Sequence, residues 1–112
     1  IKSEEMEIIM KDLHANGQTK LKLIRLTVLA DKFNKVQNVI KSIAVIKKDE
    51  KLAVCIYTPY DCSNNTLFNF YGNIEKTVGD VCDIFLYNDL NEDMKETFDT
   101  DGTVIFETVN EK

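Results

Sequence analysis

The sequence contains no tryptophan, one histidine and one proline among its 112 residues. The histidine, His14, lies far in sequence from every cysteine and belongs to no HExxH motif, so neither a zinc protease nor a histidine–cysteine pair is indicated. The four glycines are scattered and form neither GxGxxG nor GxxxxGKS/T, the patterns that cradle phosphate groups. The sequence therefore predicts no enzyme, no cofactor and no metal site.

Cysteine is present only as an odd set of three, Cys55, Cys62 and Cys82. Their spacing forms neither a paired disulfide framework nor a CxxC redox motif. Reduced thiols are the simpler interpretation, and they indicate a cytoplasmic or other intracellular compartment. Cys62 lies in a polar segment and is the thiol we expect to be most exposed. An enzyme that uses Cys62 or surface carboxylates is the weakest of the functional hypotheses.

Long apolar runs are also missing. The most apolar stretch, residues 21–30, contains Lys22 and Arg25 and falls short of the ~20 residues that a membrane-spanning helix needs. The N-terminal residues carry three glutamates where a signal peptide carries basic residues. The sequence predicts neither membrane association nor export.

What is present is typical of one globular domain. Hydrophobic residues make up 44% of the chain and charged residues 29%, which is enough apolar material for a packed core. The length matches a single domain over residues 1–112 and leaves little room for two independent cores.

The N-terminal part is predicted to be rich in helix. A first helix follows Ser3 and ends near Ala15, because apolar residues recur at i, i+3, i+4 and i+7 before Asn16-Gly17. The residues of this helical face are Met6, Ile9, Met10 and Leu13.

Residues 20–42 allow two interpretations. Residues 20–23 alternate like a strand, in which case Asp31 caps a shorter helix that follows. A heptad-like spacing over the same region instead predicts one helix that runs to Ser42 and pairs with a second copy of the chain. The candidate self-association residues on that helix are Leu23, Leu26, Phe33, Val36 and Ile40. We expect a helix from at least Asp31 and leave the earlier stretch open.

Residues 43–57 give the clearest pattern. Two β-rich runs, 43–46 and 52–57, flank a short polar segment and predict a hairpin that ends before Pro59. Residues 66–71 alternate apolar and polar side chains and predict a third strand that ends at Gly72-Asn73.

The C-terminal third is less uniform. Residues 74–85 have helical spacing that Gly79 weakens, while residues 83–87 would serve equally well as a strand. Residues 89–98 predict a helix. A turn over residues 99–102 then leads to a closing strand over 103–109.

Together these elements predict an α+β fold. A small, mostly antiparallel sheet of about four to five strands, built on the central hairpin, would pack against two to four helices. Residues 1–42 form the helix-rich part with the candidate homodimer stripe, and residues 43–112 form the part that contains the sheet.

The charge of the chain changes along its length. Residues 20–51 carry nine Lys or Arg against three Asp or Glu, whereas residues 52–112 carry three against twelve. The basic segment contains only one arginine and the whole chain has a pI near 4.8, which disfavours nucleic-acid binding. The acidic part predicts a surface for a basic protein partner. Its candidate residues are Asp89, Glu92, Asp93, Glu96, Asp99 and Asp101.

These observations favour a noncatalytic interaction or regulatory module that binds a protein partner and forms a homodimer. The alternative is a small-molecule sensor domain with an apolar pocket lined by residues such as Phe68, Phe70 and Phe85.

Overall fold

A computed structural model describes residues 8, 9, 11, 17–48, 51–58 and 64–108, and the side chains of 48, 64–67 and 69 lie outside that description. The chain forms an α+β fold with an N-terminal helix, as the sequence predicts. In order, the elements are α1 (Gly17–Val36), β1 (Ser42–Lys48), β2 (Lys51–Tyr57), α2 (Asn64–Val78), β3 (Cys82–Leu86), a 3₁₀ turn (Tyr87–Asp89), α3 (Glu92–Asp101) and β4 (Thr103–Glu107).

The four strands form one mixed sheet in the order β3-β2-β1-β4. β1 pairs antiparallel with both β2 and β4, and β2 pairs in parallel with β3. The predicted hairpin is confirmed, with Ile43 opposite Ile56, while residues 49 and 50 of its turn lie outside the described residues. Because parallel neighbours need a crossover connection, α2 links β2 to β3.

Both faces of the sheet are covered, which explains why the central strands read as continuous apolar runs. One face carries Ile43 and Val45 and packs against α1 and α2. The other carries Ala44 and Ile46 and packs against Phe98 of α3. The molecule therefore has three layers, with α1 and α2 on one side of the sheet and α3 on the other.

Residues 17–36 are helical, so the strand interpretation of residues 20–23 is wrong, and Asp31 lies inside the helix rather than at its cap. The helix ends at Val36 and does not reach Ser42, because the side chain of Asn34 forms hydrogen bonds with the backbone that follows the helix. Its side-chain oxygen accepts the backbone N–H groups of Val39 (3.3 Å) and Ile40 (2.9 Å). Its amide nitrogen donates to the carbonyl of Ile40 (2.8 Å) and to the hydroxyl of Thr108 (2.9 Å). One side chain thus fixes the path from α1 into β1.

The predicted strand over residues 66–71 is wrong, because these residues belong to α2 and Gly72 and Asn73 lie inside the same helix. Among the described side chains of α2, the buried ones are Phe70, Ile74 and Val78, which recur one turn apart and face the sheet. The helical spacing of this stripe, rather than the short alternation that precedes it, determines the structure.

Two tertiary contacts hold α2 to α1. The rings of Phe33 and Phe70 stack with their centroids 4.7 Å apart. The ammonium group of Lys22 forms an ion pair with Asp80 in the turn after α2, and its hydrogen bond holds the pKa of that carboxyl below its ordinary value.

The C-terminal elements follow the predicted order with shifted bounds. Residues 74–78 complete α2, and residues 82–86 form a strand, which settles the ambiguous stretch. The predicted helix over 89–98 is confirmed as α3, but Asp99, Thr100 and Asp101 continue it instead of forming a turn. The side chain of Asn91 caps α3 by accepting the N–H of Met94 (2.9 Å). Residues 8, 9 and 11 are helical, while the rest of the predicted first helix lies outside the described residues.

Candidate interaction surface

Strand β3 forms one border of the sheet. Within the described ranges its strand neighbour is β2, and no strand pairs with its other side. Ile84 and Leu86 project towards the α1–α2 layer, and Phe85 projects towards α3. All three side chains remain partly exposed, unlike the buried side chains of the central strands. The strand therefore presents unpaired backbone groups next to apolar side chains.

An open groove of about 610 Å³ lies along this border. One wall comes from α2, through Phe68, Tyr71 and Glu75, and the floor is formed by residues 84–86. The other wall comes from Asp89, the last residue of the 3₁₀ turn, and from Leu90, which follows it. Phe68 is 76% exposed, so its ring is an apolar feature at the groove rim rather than part of the core.

A smaller hollow of about 260 Å³ continues the groove towards the start of β3. It shares Tyr71, Glu75, Ile84 and Phe85 with the larger one and adds Asp83. The carboxylate of Asp83 pairs with Lys51 at 3.2 Å, and both side chains are about half exposed.

The groove is negatively charged. Its charged lining residues are Glu75, Asp83 and Asp89, and neither a lysine nor an arginine is among the described residues that line either hollow. Asp83 lies near the start of β3 and Asp89 lies beyond its end. Carboxylates therefore stand near both ends of an apolar centre. Asp83 is already paired with Lys51, so Glu75 and Asp89 contribute most of the negative charge that attracts cationic groups.

The six acidic residues predicted as a partner surface are all exposed. Asp89 belongs to that turn and lines the groove, and the other five lie on α3. α3 carries five carboxylates against one lysine, Lys95, which lies 3.9 Å from Glu92. The helix thus extends the negative potential of the groove over the adjoining layer.

Asp99 differs from the other five because two tyrosines bind it. The hydroxyls of Tyr57 and Tyr87 donate to its two carboxylate oxygens at 3.2 and 2.8 Å. The two rings stack with centroids 4.4 Å apart, and the ammonium of Lys95 lies 5.4 Å from the centre of the Tyr87 ring. This cluster fastens α3 to the ends of β2 and β3, and it places the acidic helix beside the groove.

The predicted self-association stripe is mostly part of the core. Leu23 and Leu26 are fully buried and Ile40 is 1% exposed, so these three side chains pack within the chain itself. Phe33 is half-buried against Phe70, and Val36 is 82% exposed. The stripe therefore does not form a continuous exposed seam for a second copy.

Of the three phenylalanines predicted to line a pocket, Phe68 and Phe85 do line the groove. Phe70 is 3% exposed and belongs to the core. The sequence reasoning missed Tyr71, Ile84 and Leu90. For Tyr71 the signal was the helical spacing of residues 70, 74 and 78, which places 68, 71 and 75 on the flank of one helix.

The described cysteines are not reactive groups. Burial raises the pKa of the Cys55 thiol to about 12 and that of Cys82 to about 11, so both are protonated and weakly nucleophilic near neutral pH. Cys62 and His14 lie outside the described residues. Among the residues with described positions, no three His, Cys, Asp or Glu side chains are grouped to hold a metal ion.

Comparisons with models of known families, with curated proteins and with solved structures found no match to this chain. Across the described part of the chain, no helix has both the length and the apolarity to cross a membrane.

Proposed function

We propose that this chain is a noncatalytic interaction module that binds a basic protein partner through the acidic surface of α3 and the adjoining groove. The observation that carries the proposal is the juxtaposition of an apolar groove with carboxylates on its lining and a helix of five exposed carboxylates beside it. Apolar area supplies affinity, and charge of one sign supplies steering and specificity.

The test compares capture of partners by the wild-type chain and by a triple variant, Asp93→Asn, Glu96→Gln and Asp101→Asn. These side chains are exposed and do not include Asp99, which the fold uses. A control variant, Asp31→Asn, instead removes an exposed carboxylate from α1. We expect proteins captured from the native host to be basic, to be lost from the triple variant and to be released by high salt. Capture that neither salt nor the triple variant alters would contradict the proposal.

A second candidate function is small-molecule sensing, favoured by the volume of the groove. About 610 Å³ falls in the range of roughly 300–1,000 Å³ that drug-sized ligands occupy. Thermal-shift screening with apolar cationic compounds tests it, and stabilisation abolished by Phe68→Ser would support it.

Self-association and an intracellular location complete the proposal. Contact between copies would use the outer face of α1, where Leu21, Val28 and Val36 are exposed. Sedimentation of Val28→Asp tests this, because a dimer that uses this face should dissociate. The free thiols of Cys55 and Cys82 suit a reducing compartment.

A further inference from the structure

We infer that β3 and its groove accept an extended segment of the partner, apolar at its centre and basic at its ends, as a fifth strand of the sheet. This inference rests on the proposed function and specifies how the partner binds.

The backbone of β3 supplies the first argument. In a strand, alternate N–H and C=O groups point to opposite sides, and β2 uses those on one side of β3. The groups on the other side face the groove, where an added strand would pair with them. β3 contains neither a proline nor a lysine, the residues with which exposed strands commonly block such pairing.

The side chains supply the second argument. Successive residues of an added strand would project to opposite faces of the sheet. On one face they would meet Phe68 and Tyr71 of α2, and on the other they would meet Phe85 and Leu90. Apolar contacts are thus available to both faces of the incoming segment, as expected for a strand and not for a helix.

The charges supply the third argument and select the partner. Asp83 and Asp89 stand near the two ends of β3, and Glu75 lies between them on α2. Lysines or arginines of the segment would pair with Glu75 and, at one end, with Asp89. At the other end they would compete with Lys51 for the half-exposed Asp83. A second copy of β3 would bring the same carboxylates together, and this repulsion disfavours self-pairing at this border.

The test uses a labelled synthetic peptide with alternating valine and isoleucine at its centre and two lysines at each end. Binding of the peptide to the 112-residue chain is followed by fluorescence anisotropy. We expect saturable binding that weakens with salt. A peptide with glutamates in place of the lysines should not bind, and neither should a peptide with every backbone amide N-methylated, since it cannot donate to β3.

Matched protein variants locate the site. Asp89→Lys should weaken binding by about tenfold, whereas Asp31→Lys makes the same charge change at an exposed position on α1, outside the groove, and should weaken it by less than about twofold. Phe68→Ser removes an exposed ring and should weaken binding by about tenfold without lowering the melting temperature.

Equal affinity of the N-methylated and unmodified peptides would overturn the inference, and so would equal effects of Asp89→Lys and Asp31→Lys. Phe68-dependent self-association in place of peptide binding would also overturn it. The proposed function has its own test, which is the loss of natural partners from the α3 triple variant. If the triple variant loses its partners but Phe68→Ser keeps them, only the added strand is refuted.

Discussion

The carboxamide of Asn34 joins α1 to two other segments of the chain. It binds Val39, Ile40 and Thr108, and the hydroxyl of Thr108 also donates to the carbonyl of Ile40 at 2.6 Å. Because Ile40 is buried, its N–H group has few other acceptors within reach.

Replacing Asn34 by alanine should therefore lower the free energy of unfolding by about 2 kcal/mol, since it removes the acceptor of the N–H group of buried Ile40. Urea denaturation measures the change. Asn38→Ala, at an exposed position after the same helix, is the control and should change stability by less than about 0.5 kcal/mol. Equal effects of the two variants would contradict the role of Asn34.

The carboxylate of Asp99 likewise binds more than one group, because it accepts hydrogen bonds from the phenol groups of Tyr57 and Tyr87. Burial, the neighbouring Cys55 and the hydrogen bond to Asp99 raise the pKa of Tyr57, and the bond to Asp99 raises the pKa of Tyr87 above its ordinary 10.0. A group whose pKa is higher in the folded state stabilises the fold below its unfolded-state pKa and loses that contribution as pH rises. The fold should keep this contribution up to about pH 10 and lose it progressively above.

We expect Asp99→Asn to move the highest-pH phenol titration, followed by ultraviolet absorbance, to lower pH, because the neighbouring negative charge is gone. Asp93→Asn removes an equal charge from an exposed position on the same helix and should leave that titration unchanged. Identical curves for both variants would show that Asp99 does not set these pKa values.

Among the helices and strands, α2 holds two glycines whose surroundings differ, Gly72 inside the helix and Gly79 just after it. A Cβ on Gly79, just after the helix, would lie 2.4 Å from the backbone oxygen of Glu75, which cannot move without distorting the helix end. A Cβ on Gly72, inside the helix, would meet nothing within 4 Å.

Gly79→Ala should therefore lower the free energy of unfolding by about 1–3 kcal/mol through steric overlap. Gly72→Ala should raise it by about 0.5–1 kcal/mol, because alanine favours helix more than glycine does. Thermal denaturation of both variants shows whether each one stabilises or destabilises the fold. Destabilisation by Gly72→Ala would contradict a helix through this position.

The same element shows how far sequence reasoning reaches. The hairpin was predictable because two apolar runs flank a polar turn, and α3 because Leu90, Met94 and Phe98 recur at helical spacing. α2 was not, because local alternation over residues 66–71 imitated a strand while burial of Phe70, Ile74 and Val78 decided the helix. The groove could not be foreseen, since it depends on β3 forming the border of the sheet, and strand order comes from long-range packing.

At the scale of the whole molecule, the charge change along the sequence becomes a separation in space. α1 carries five basic residues against one acidic residue, and α3 carries five acidic residues against one basic residue. The two helices lie on opposite faces of the sheet, so the molecule has a basic side and an acidic side. A field of this kind orients an approaching charged partner, and salt weakens it.

The addition of a strand to β3 is tested most directly by a nuclear magnetic resonance titration of the isotope-labelled protein with the lysine-ended peptide. We expect the largest amide shifts at residues 83–86, 68–75 and 89–90, with slowed hydrogen exchange at the outward amides of β3. Shifts confined to the outer face of α1, or spread evenly over the surface, would contradict the added strand.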